Sequence, residues 1–368
     1  MVEFRNNSLN ATSFHWDFGD GNTSTERDPI HIYSEIGNYT VVLTAFLDDK
    51  SDQHSDIALV NRIFPENLTK LSTPPFGSNA DGLSFTWNGR GYVAGGTSNF
   101  QFTHDLWEFD PTTITWKKLS DLPKEFSKAA SFVIDGVVYM GLGQSPWGAG
   151  SREFYKYDIA TDTYTSIGSM PISNNNGNQN WSDVVAFSFE DKGYIIGSTG
   201  LSGESIKVME FNSTNDSWSE KSIYPGEASS GKFHFVLDGY AYVGMGNQWG
   251  FNGFDIRQEI YRYDIANNSW TQLADFPSGG RRDAGSFTYN GKGYICFGFN
   301  NDPFTGAINA FSGLWEYNVS TDEWTRIESM PISVNHHFYH FIFENKFYFG
   351  GGFGINNNSL SDFYEYEF

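Results

Sequence analysis

The sequence contains one cysteine, Cys296, and therefore cannot form a disulfide within the chain. It also lacks any apolar run near the roughly 20 residues that a membrane-spanning helix requires. Basic residues are few: 23 lysines and arginines stand against 44 aspartates and glutamates, which gives a net charge of −21. These absences predict a protein without internal disulfides, without membrane insertion and without affinity for nucleic acids or anionic lipid surfaces.

Aromatic residues, in contrast, make up 18% of the chain, and many of them recur at a fixed spacing. Five aromatic pairs are each separated by seven positions, and a proline follows seven positions after each pair. These triplets are Phe109/Trp116/Pro123, Tyr157/Tyr164/Pro171, Phe211/Trp218/Pro225, Tyr263/Trp270/Pro277 and Tyr317/Trp324/Pro331. A period of about 50 residues built from short aromatic strands is typical of a β-propeller.

Each repeat begins with two apolar runs that flank a short turn. The turns include Asn88-Gly89, Asp135-Gly136, Asp238-Gly239 and Asn290-Gly291. Asn-Gly and Asp-Gly are strong hairpin signals because both residues tolerate a positive φ. The second run ends in glycine, and the third and fourth runs carry the aromatic pair. The pattern therefore predicts an all-β chain in which each repeat forms four antiparallel strands.

A glycine pair followed by Tyr or Phe and then Trp resembles the kelch repeat, over roughly residues 63–368. The full pair occurs in the first and last repeats, as Gly95-Gly96 and Gly351-Gly352, whereas the third has Gly197-Ser198. The sixth repeat lacks a fourth strand of its own, and residues 68–75 fit the template of that strand. The resemblance and the spacing together predict a six-bladed kelch-type propeller that an N-terminal strand closes.

Residues 1–62 do not fit the repeat. Residues 16–21 (WDFGDG), 28–33 (DPIHIY) and 37–45 (GNYTVVLTA) resemble a PKD domain, a small immunoglobulin-like β-sandwich. Residues 2–8 correspond to the second strand of that family, so we expect that the chain is trimmed or that the natural protein continues upstream. Asp17 and Asp20 either bind Ca²⁺ or set turns in a glycine-rich loop, and the second interpretation is favoured.

These assignments predict two domains, a PKD-like sandwich over 1–62 and a propeller over 63–368. The resemblance to PKD domains, which serve as adhesion and spacer modules, favours an extracytoplasmic protein that is secreted, periplasmic or anchored at the cell surface. A single cysteine is compatible with that location, since many bacterial exported proteins lack disulfides. We expect a monomer.

Three intervals within the repeats are longer than their counterparts, and all three fall on one face of the predicted propeller. The intervals from Pro171 to Tyr194, from Tyr242 to Tyr263 and from Tyr294 to Tyr317 all exceed those of the other repeats. They add residues to the loops between second and third strands or to the links between blades, in the third, fourth and fifth blades. Loops on a rigid scaffold commonly carry binding residues, so this face is the predicted ligand site.

The loops of this face contain side chains that suit a sugar. They are Trp147, Asn180, Trp181, Trp249, Asn300 and Asp302. A tryptophan open to solvent offers a flat apolar face to a sugar ring, and amide and carboxylate groups bind hydroxyls. We expect Trp181 and Trp249 to be open in the free protein. The alternative is that these tryptophans cover their own loops.

Residues at the start of the fifth and sixth blades are expected at the mouth of the central channel, on the same face. Arg281 and Arg282 could clamp a carboxylate. His336 and His337 complete the predicted ligand site. Because adjacent residues of a strand point to opposite sides, the two histidines predict no metal site, and no cofactor is predicted.

These features predict a non-catalytic binding or adhesion protein whose ligand is a glycan or a protein. The alternative is a mutarotase or epimerase on an acidic sugar, since sialic acid epimerases are six-bladed kelch propellers of similar size. Galactose oxidase also resembles this architecture, but its copper centre needs a tyrosine cross-linked to cysteine, and Cys296 lies in an apolar strand. A binding function is favoured over an enzymatic one because the sequence contains no specific signature of an acid–base pair.

Overall fold

The computed structural model describes residues 2–31, 33, 37–60, 66–144, 150–171, 181, 183–197, 205–227, 229–250, 253–301, 308–330, 337–354 and 358–368. The regular elements of these residues are strands, which confirms the all-β prediction. Among the described residues, no helix is long and apolar enough to cross a membrane. The chain divides into two compact units, Met1–Phe64 and Pro65–Phe368.

Six strands are present in the part of the first unit that the structure describes. They are β1 (Val2–Glu3), β2 (Ser13–Asp17), β3 (Thr23–Ser24), β4 (Ile30–His31), β5 (Gly37–Leu47) and β6 (Lys50–Val60). One sheet has the order β3-β2-β5-β6, and β1 pairs with β4. The core between them is built from Trp16, Phe18, Tyr33, Val41 and Leu43. Apolar residues that alternate along β2 and β5 supply this core, as expected for strands with one buried face.

The two aspartates of the glycine-rich loop bond to their own turn. Asp17 accepts a hydrogen bond from the Gly19 amide at 2.9 Å, and Asp20 accepts one from the Asn22 amide at 3.1 Å. The second oxygen of Asp20 lies 2.7 Å from His31 Nε2. These contacts are those of turn-setting aspartates.

The described residues of the second unit form thirty strands. They are β7 (Leu68–Lys70), β8 (Leu83–Trp87), β9 (Arg90–Ala94), β10 (Thr97–Ser98), β11 (Gln101–Phe102), β12 (Leu106–Asp110), β13 (Thr115–Lys118), β14 (Ala130–Ile134), β15 (Val137–Gly141), β16 (Glu153–Asp158), β17 (Thr163–Ser169), β18 (Val185–Phe189), β19 (Lys192–Gly197), β20 (Lys207–Asn212), β21 (Ser217–Ile223), β22 (Phe233–Leu237), β23 (Tyr240–Gly244), β24 (Asn247–Gly250), β25 (Gly253–Ile256), β26 (Ile260–Asp264), β27 (Ser269–Gln272), β28 (Gly285–Tyr289), β29 (Lys292–Cys296), β30 (Phe299–Asn301), β31 (Ile308–Ala310), β32 (Gly313–Asn318), β33 (Glu323–Ser329), β34 (Tyr339–Phe343), β35 (Lys346–Gly350) and β36 (Phe363–Glu367).

Six four-stranded antiparallel sheets organise this unit, and we number them sheets 1 to 6. Their strand orders are β8-β9-β12-β13, β14-β15-β16-β17, β18-β19-β20-β21, β22-β23-β26-β27, β28-β29-β32-β33 and β34-β35-β36-β7. The last sheet joins the two ends of the unit, because Leu68 pairs with Tyr366 and Lys70 with Tyr364. Three small hairpins, β10-β11, β24-β25 and β30-β31, connect the second and third strands of sheets 1, 4 and 5.

The first strand of each sheet contacts the first strands of its two neighbours. The contacts follow the cyclic order β8, β14, β18, β22, β28, β34 and back to β8. Glycines allow the sheets to approach closely. A Cβ on Gly193 would lie 2.1 Å from the Phe132 ring of the preceding sheet, and one on Gly91 would lie 2.8 Å from the Phe341 ring. The central strands therefore surround a common axis, with aromatic rings packed between sheets.

The aromatic pairs of the sequence are cross-strand neighbours. Phe109 faces Trp116, Tyr157 faces Tyr164 and Tyr317 faces Trp324 across the third and fourth strands of their sheets. In the Tyr157–Tyr164 and Tyr317–Trp324 hairpins, the tyrosine hydroxyl also donates a hydrogen bond to an aspartate of the intervening turn. The spacing of seven is thus the length of a hairpin that brings the two rings of a pair together.

Candidate functional site

One residue of each sheet occupies an equivalent position at the start of the first strand, four residues before a phenylalanine. These six rim residues are Asp81, Lys128, Asp183, Gly231, Asp283 and His337. Each has a left-handed backbone, with φ between 54° and 67°. Because this conformation recurs in all six sheets, it belongs to the fold, and only the side chains differ among the six positions.

Backbone hydrogen bonds connect the rim residues to one another. The amide of Asp81 donates to the carbonyl of His337 at 3.1 Å, that of Lys128 donates to Asp81 at 2.9 Å, and that of Asp183 donates to Lys128 at 3.2 Å. The Asp283 amide donates to Gly231 at 2.9 Å. The rim residues border a cavity of about 410 Å³ that the starts of all six first strands line. Five of the six rim positions therefore place a charged or titratable side chain at one cavity.

Lys128 lies between two carboxylates of this rim. Its Nζ is 3.2 Å from Asp183 Oδ2 and 4.0 Å from Asp81 Oδ1. Burial lowers the pKa of Lys128, but the two aspartates outweigh burial and raise it above its usual value. Lys128 is therefore a permanent cation at the mouth of the cavity.

His337 lies between the other pair of carboxylates. Its Nδ1 contacts Asp81 Oδ1, and its Nε2 is 3.1 Å from Asp283 Oδ2. Arg282 Nε approaches the same Asp283 oxygen at 2.7 Å. Burial lowers the pKa of His337, but Asp283 and Asp81 outweigh burial and raise it to about 9. His337 is therefore protonated at neutral pH, and each of its two ring nitrogens faces one carboxylate.

We expect His337 to make stability depend on pH. A pKa of about 9 in the folded state, above the ordinary value of 6.5, means that the stabilisation is fully present below pH 6.5 and is lost as the pH rises through 9. The difference between these two pKa values corresponds to about 3 kcal/mol in the free energy of unfolding. In urea unfolding between pH 6 and pH 9.5, His337→Gln should therefore lose more stability at pH 6 than at pH 9.5.

The test compares the free energy of unfolding of wild type and variant at each pH, because Lys232 gives both proteins a pH dependence of the opposite sign. Burial lowers the pKa of Lys232 to about 7, which destabilises the fold at low pH. His54→Gln, at an exposed position of the first unit, is the matched control and should show no such difference. An equal loss for His337→Gln at every pH would show that His337 is not held protonated.

Deeper in the cavity, a second layer of side chains follows three residues after the rim. It consists of Ser84, Ser131, Ala186, His234, Ser286 and His340. The Ser286 hydroxyl donates to the His234 carbonyl at 2.5 Å, and His340 Nε2 lies 3.0 Å from the Ser286 carbonyl. Burial, with a smaller contribution from His340, lowers the pKa of His234 to about 4. This layer is uncharged at neutral pH and consists of small hydroxyl and imidazole groups.

The rim forms a nearly neutral network. Asp81, Asp183 and Asp283 are balanced by Lys128, Arg282 and protonated His337. Ligand-type atoms of Asp183, Asp283 and His337 lie within 4.8 Å of one another, a spacing that could hold a metal ion. A metal ion would have to displace the Lys128 ammonium or the His337 proton. The geometry therefore favours alternating hydrogen-bond donors and acceptors for a polar ligand.

Trp181 and Arg281 do not have the roles that the sequence analysis predicts. Both lie two residues before a rim residue, and the equivalent positions in other sheets are Asn79, Phe126 and Ser229. Trp181 is 3% exposed and Arg281 is 1% exposed. The Gly143 amide donates to the carbonyl of Trp181, and the Gly246 amide donates to that of Arg281, each at 2.9 Å. The residue at this position accepts a backbone hydrogen bond from a glycine of the preceding sheet. The side chains of Trp181 and Arg281 are therefore buried at the interface between sheets.

The guanidinium of Arg281 is enclosed by aromatic rings. Its Nη1 donates to the Phe297 carbonyl at 3.0 Å, and its Cζ lies 4.0 Å from the Phe311 ring centre and 4.8 Å from that of Phe276. Burial lowers the pKa of Arg281 to about 10. The prediction that Arg281 clamps a ligand carboxylate is therefore wrong, because its donors face carbonyls and rings inside the protein.

The other predicted residues fall into four groups. His337 borders the cavity, and Arg282 contacts Asp283, which also borders it. Asn300 lies in β30, where its amide donates to the Gly280 carbonyl at 3.2 Å. Trp249 lies in the hairpin strand β24, and only the backbone of this residue is described. Trp147, Asn180, Asp302 and His336 lie outside the described residues.

The sequence analysis missed most of the rim. Asp81, Lys128 and Asp183 are absent from the predicted site, although Phe85, Phe132 and the other first-strand phenylalanines mark them. A rim residue precedes its phenylalanine by four positions in all six repeats. Aligning the repeats on this phenylalanine places five charged or titratable residues and one glycine at one structural position.

Comparison with known proteins agrees with both parts of the architecture. Residues 2–61 match the family described as the PKD domain. A kelch-like protein, terF, from Aspergillus terreus is 22% identical over 267 residues, which cover 67% of this chain and 56% of that protein. The solved structure titled "Structure of YjhT" superposes with a TM-score of 0.64 at 13% identity, covering 80% of this chain and 96% of that one. The resemblance to a kelch-repeat propeller preceded by a PKD domain is thus confirmed.

N-acetylneuraminate epimerase from Haemophilus influenzae is also similar. It is 25% identical over 137 residues, which cover 36% of this chain and 35% of the epimerase. The matched regions span less than two thirds of these curated relatives. The similarities therefore bear on the architecture of this chain. Any proposal about its ligand has to be argued from the geometry of the site.

Proposed function

We propose that this protein binds a small, hydroxyl-rich ligand, a sugar, in the cavity that the rim residues border. The observation that carries this proposal is the convergence of charged side chains from five of the six rim positions on one cavity of about 410 Å³. Cavities of about 300–1,000 Å³ suit small molecules. Alternating carboxylates and cations offer acceptors and donors to several hydroxyls at once.

We infer that the six sheets form a closed six-bladed propeller. The pairing of β7 with β36 and the cyclic contacts of the first strands support this inference. Closure matters for the site because it brings His337 of the last sheet next to Asp81 of the first. The two compact units support the division into a sandwich of residues 1–62 and a propeller of residues 63–368.

Binding without chemistry is the leading proposal, as a glycan-binding protein that works outside the cytoplasm as a monomer. The PKD match supports an extracellular setting, since such domains resemble spacer and adhesion modules. A sugar is favoured over a protein ligand because the charged groups face an internal cavity. The balanced charge of the rim favours a neutral sugar over an acidic one.

A second candidate is catalysis of mutarotation or epimerisation. One observation favours it: a titratable imidazole, His337, borders the cavity with a carboxylate beside each ring nitrogen, a residue type and setting suited to general acid–base catalysis. The similarity to N-acetylneuraminate epimerases is consistent with it. In this case His337 would pass a proton to or from the ring oxygen or anomeric hydroxyl of the sugar.

Ligand-observed NMR with a panel of neutral hexoses and N-acetylneuraminate tests both proposals. Wild-type protein should give saturation transfer to at least one sugar. Ala186→Phe should abolish this transfer, because the new ring fills the second layer without removing a rim contact. Ala266→Phe, at an exposed turn, is the matched control and should bind as wild type does.

The same samples separate binding from catalysis. Exchange of magnetisation between α and β anomers should be unchanged by a non-catalytic protein and accelerated by a mutarotase. If Ala186→Phe binds sugars as well as wild type does, the cavity is not the site. If no sugar of the panel binds, the proposed function is wrong.

A further inference from the structure

The tip of the β10–β11 hairpin has an unusual backbone. Asn99 and Phe100 form the two-residue turn, with φ of 47° and 62°. A bulky residue rarely adopts this left-handed conformation, and it costs energy to do so. Two other hairpins of the chain place glycine at the equivalent second position, Gly89 with φ of 71° and Gly291 with φ of 70°. Phe100 thus occupies a position that the fold ordinarily gives to glycine.

The Phe100 side chain is also unusually open. It is 61% exposed, although one face of the ring stacks on Phe353 with a centroid separation of 5.8 Å and an interplanar angle of 24°. Stacking on Phe353 therefore buries only part of the Phe100 ring. Large aromatic residues with an open face are costly in water and common at ligand sites.

These rings connect the hairpin tip to the rim. Phe353 is buried, and its ring lies 6.2 Å from the imidazole of His337 in an edge-on arrangement. Phe353 thus contacts both the rim residue His337 and the hairpin-tip residue Phe100. A series of ring contacts therefore links the rim of the cavity to the open ring of Phe100.

We propose that Phe100 stacks on the second sugar residue of an oligosaccharide whose terminal residue occupies the cavity. This proposal rests on the proposed function. The apolar C–H face of a pyranose suits an open aromatic ring, and the left-handed turn fixes the backbone that carries this ring at the hairpin tip. The tip residue would then set a preference for di- or oligosaccharides over monosaccharides.

Phe100→Gly tests the proposal, because glycine suits the left-handed turn and the variant should fold at least as stably as wild type. Calorimetric titration should use the best-binding hexose and the corresponding disaccharide. Wild type should bind the disaccharide about 3- to 10-fold more tightly than the monosaccharide, the range expected for one stacked ring. Phe100→Gly should lose this preference while binding the monosaccharide as wild type does. Phe100→Trp should retain the preference.

Trp87→Ala is the matched control, since Trp87 is another exposed aromatic residue beside a hairpin turn. It should leave both affinities unchanged. If wild type does not prefer the disaccharide, or if Phe100→Gly keeps the preference, the role of Phe100 is refuted while cavity binding stands. If Ala186→Phe leaves monosaccharide binding intact, or if wild type binds no sugar, the proposed function itself fails and the role of Phe100 with it.

Discussion

Replacing Asp283 by asparagine is expected to lower the free energy of unfolding by about 3–5 kcal/mol, the loss typical of breaking a buried charge network. The Asp283 side chain is 3% exposed and contacts both Arg282 and His337. Burial raises the pKa of Asp283, but His337 and Arg282 outweigh burial and hold it well below its usual value. Without this carboxylate, Arg282 and protonated His337 would be buried cations that lack their shared partner. The pKa of His337 should therefore fall.

Urea unfolding at pH 7 and NMR titration of the His337 ring measure the two effects. Asp121→Asn is the matched control, because Asp121 pairs with Lys118 at an exposed site and its loss should cost less than about 1 kcal/mol. If the two variants lose equal stability, or if the pKa of His337 does not change in Asp283→Asn, the rim is not an electrostatically coupled network.

Leu68→Ala is expected to destabilise the propeller by about 2–5 kcal/mol, because a buried leucine is truncated in the strand that joins the two ends of the unit. Leu68 is 6% exposed and belongs to the aromatic cluster of the last sheet, which includes Phe347 and Tyr366. Loosening this strand would also expose the hydrogen-bonding edge of β36, so the variant should associate at high concentration.

Chemical unfolding gives the energy, and hydrogen exchange of the β36 amides reports whether the strand detaches. Leu9→Ala is the matched control, because Leu9 is 87% exposed and its truncation should change stability by less than about 0.5 kcal/mol. Equal stability of the two variants, with unchanged exchange in β36, would contradict closure by the N-terminal strand.

The results of these two experiments bear on function because the site depends on closure. The Asp81–His337 contact joins the first sheet to the last, and Asp81 also accepts a backbone hydrogen bond from Lys128. A propeller with a loose last sheet would lose the pairing that keeps His337 protonated. We therefore expect Leu68→Ala to weaken sugar binding in the cavity as well as stability.

The sequence alone determined the local architecture. Strand pairs such as Phe109–Trp116 and hairpin turns such as Asn88-Gly89 follow from near neighbours in the sequence, and the structure has them as the spacing predicts. The resemblance to kelch and PKD sequences indicates the type of each domain for the same reason, since both patterns lie in short segments.

Only the tertiary structure decided which side chains meet at the cavity. The rim residues are roughly fifty residues apart in the sequence, and they come together because the first strands contact one another in a cycle. Trp181 and Arg281 have the composition of ligand-binding residues, yet both are buried because their carbonyls receive a glycine amide from the preceding sheet. Whether a side chain faces solvent, a cavity or a sheet interface depends on such long-range contacts, and a local pattern does not encode them.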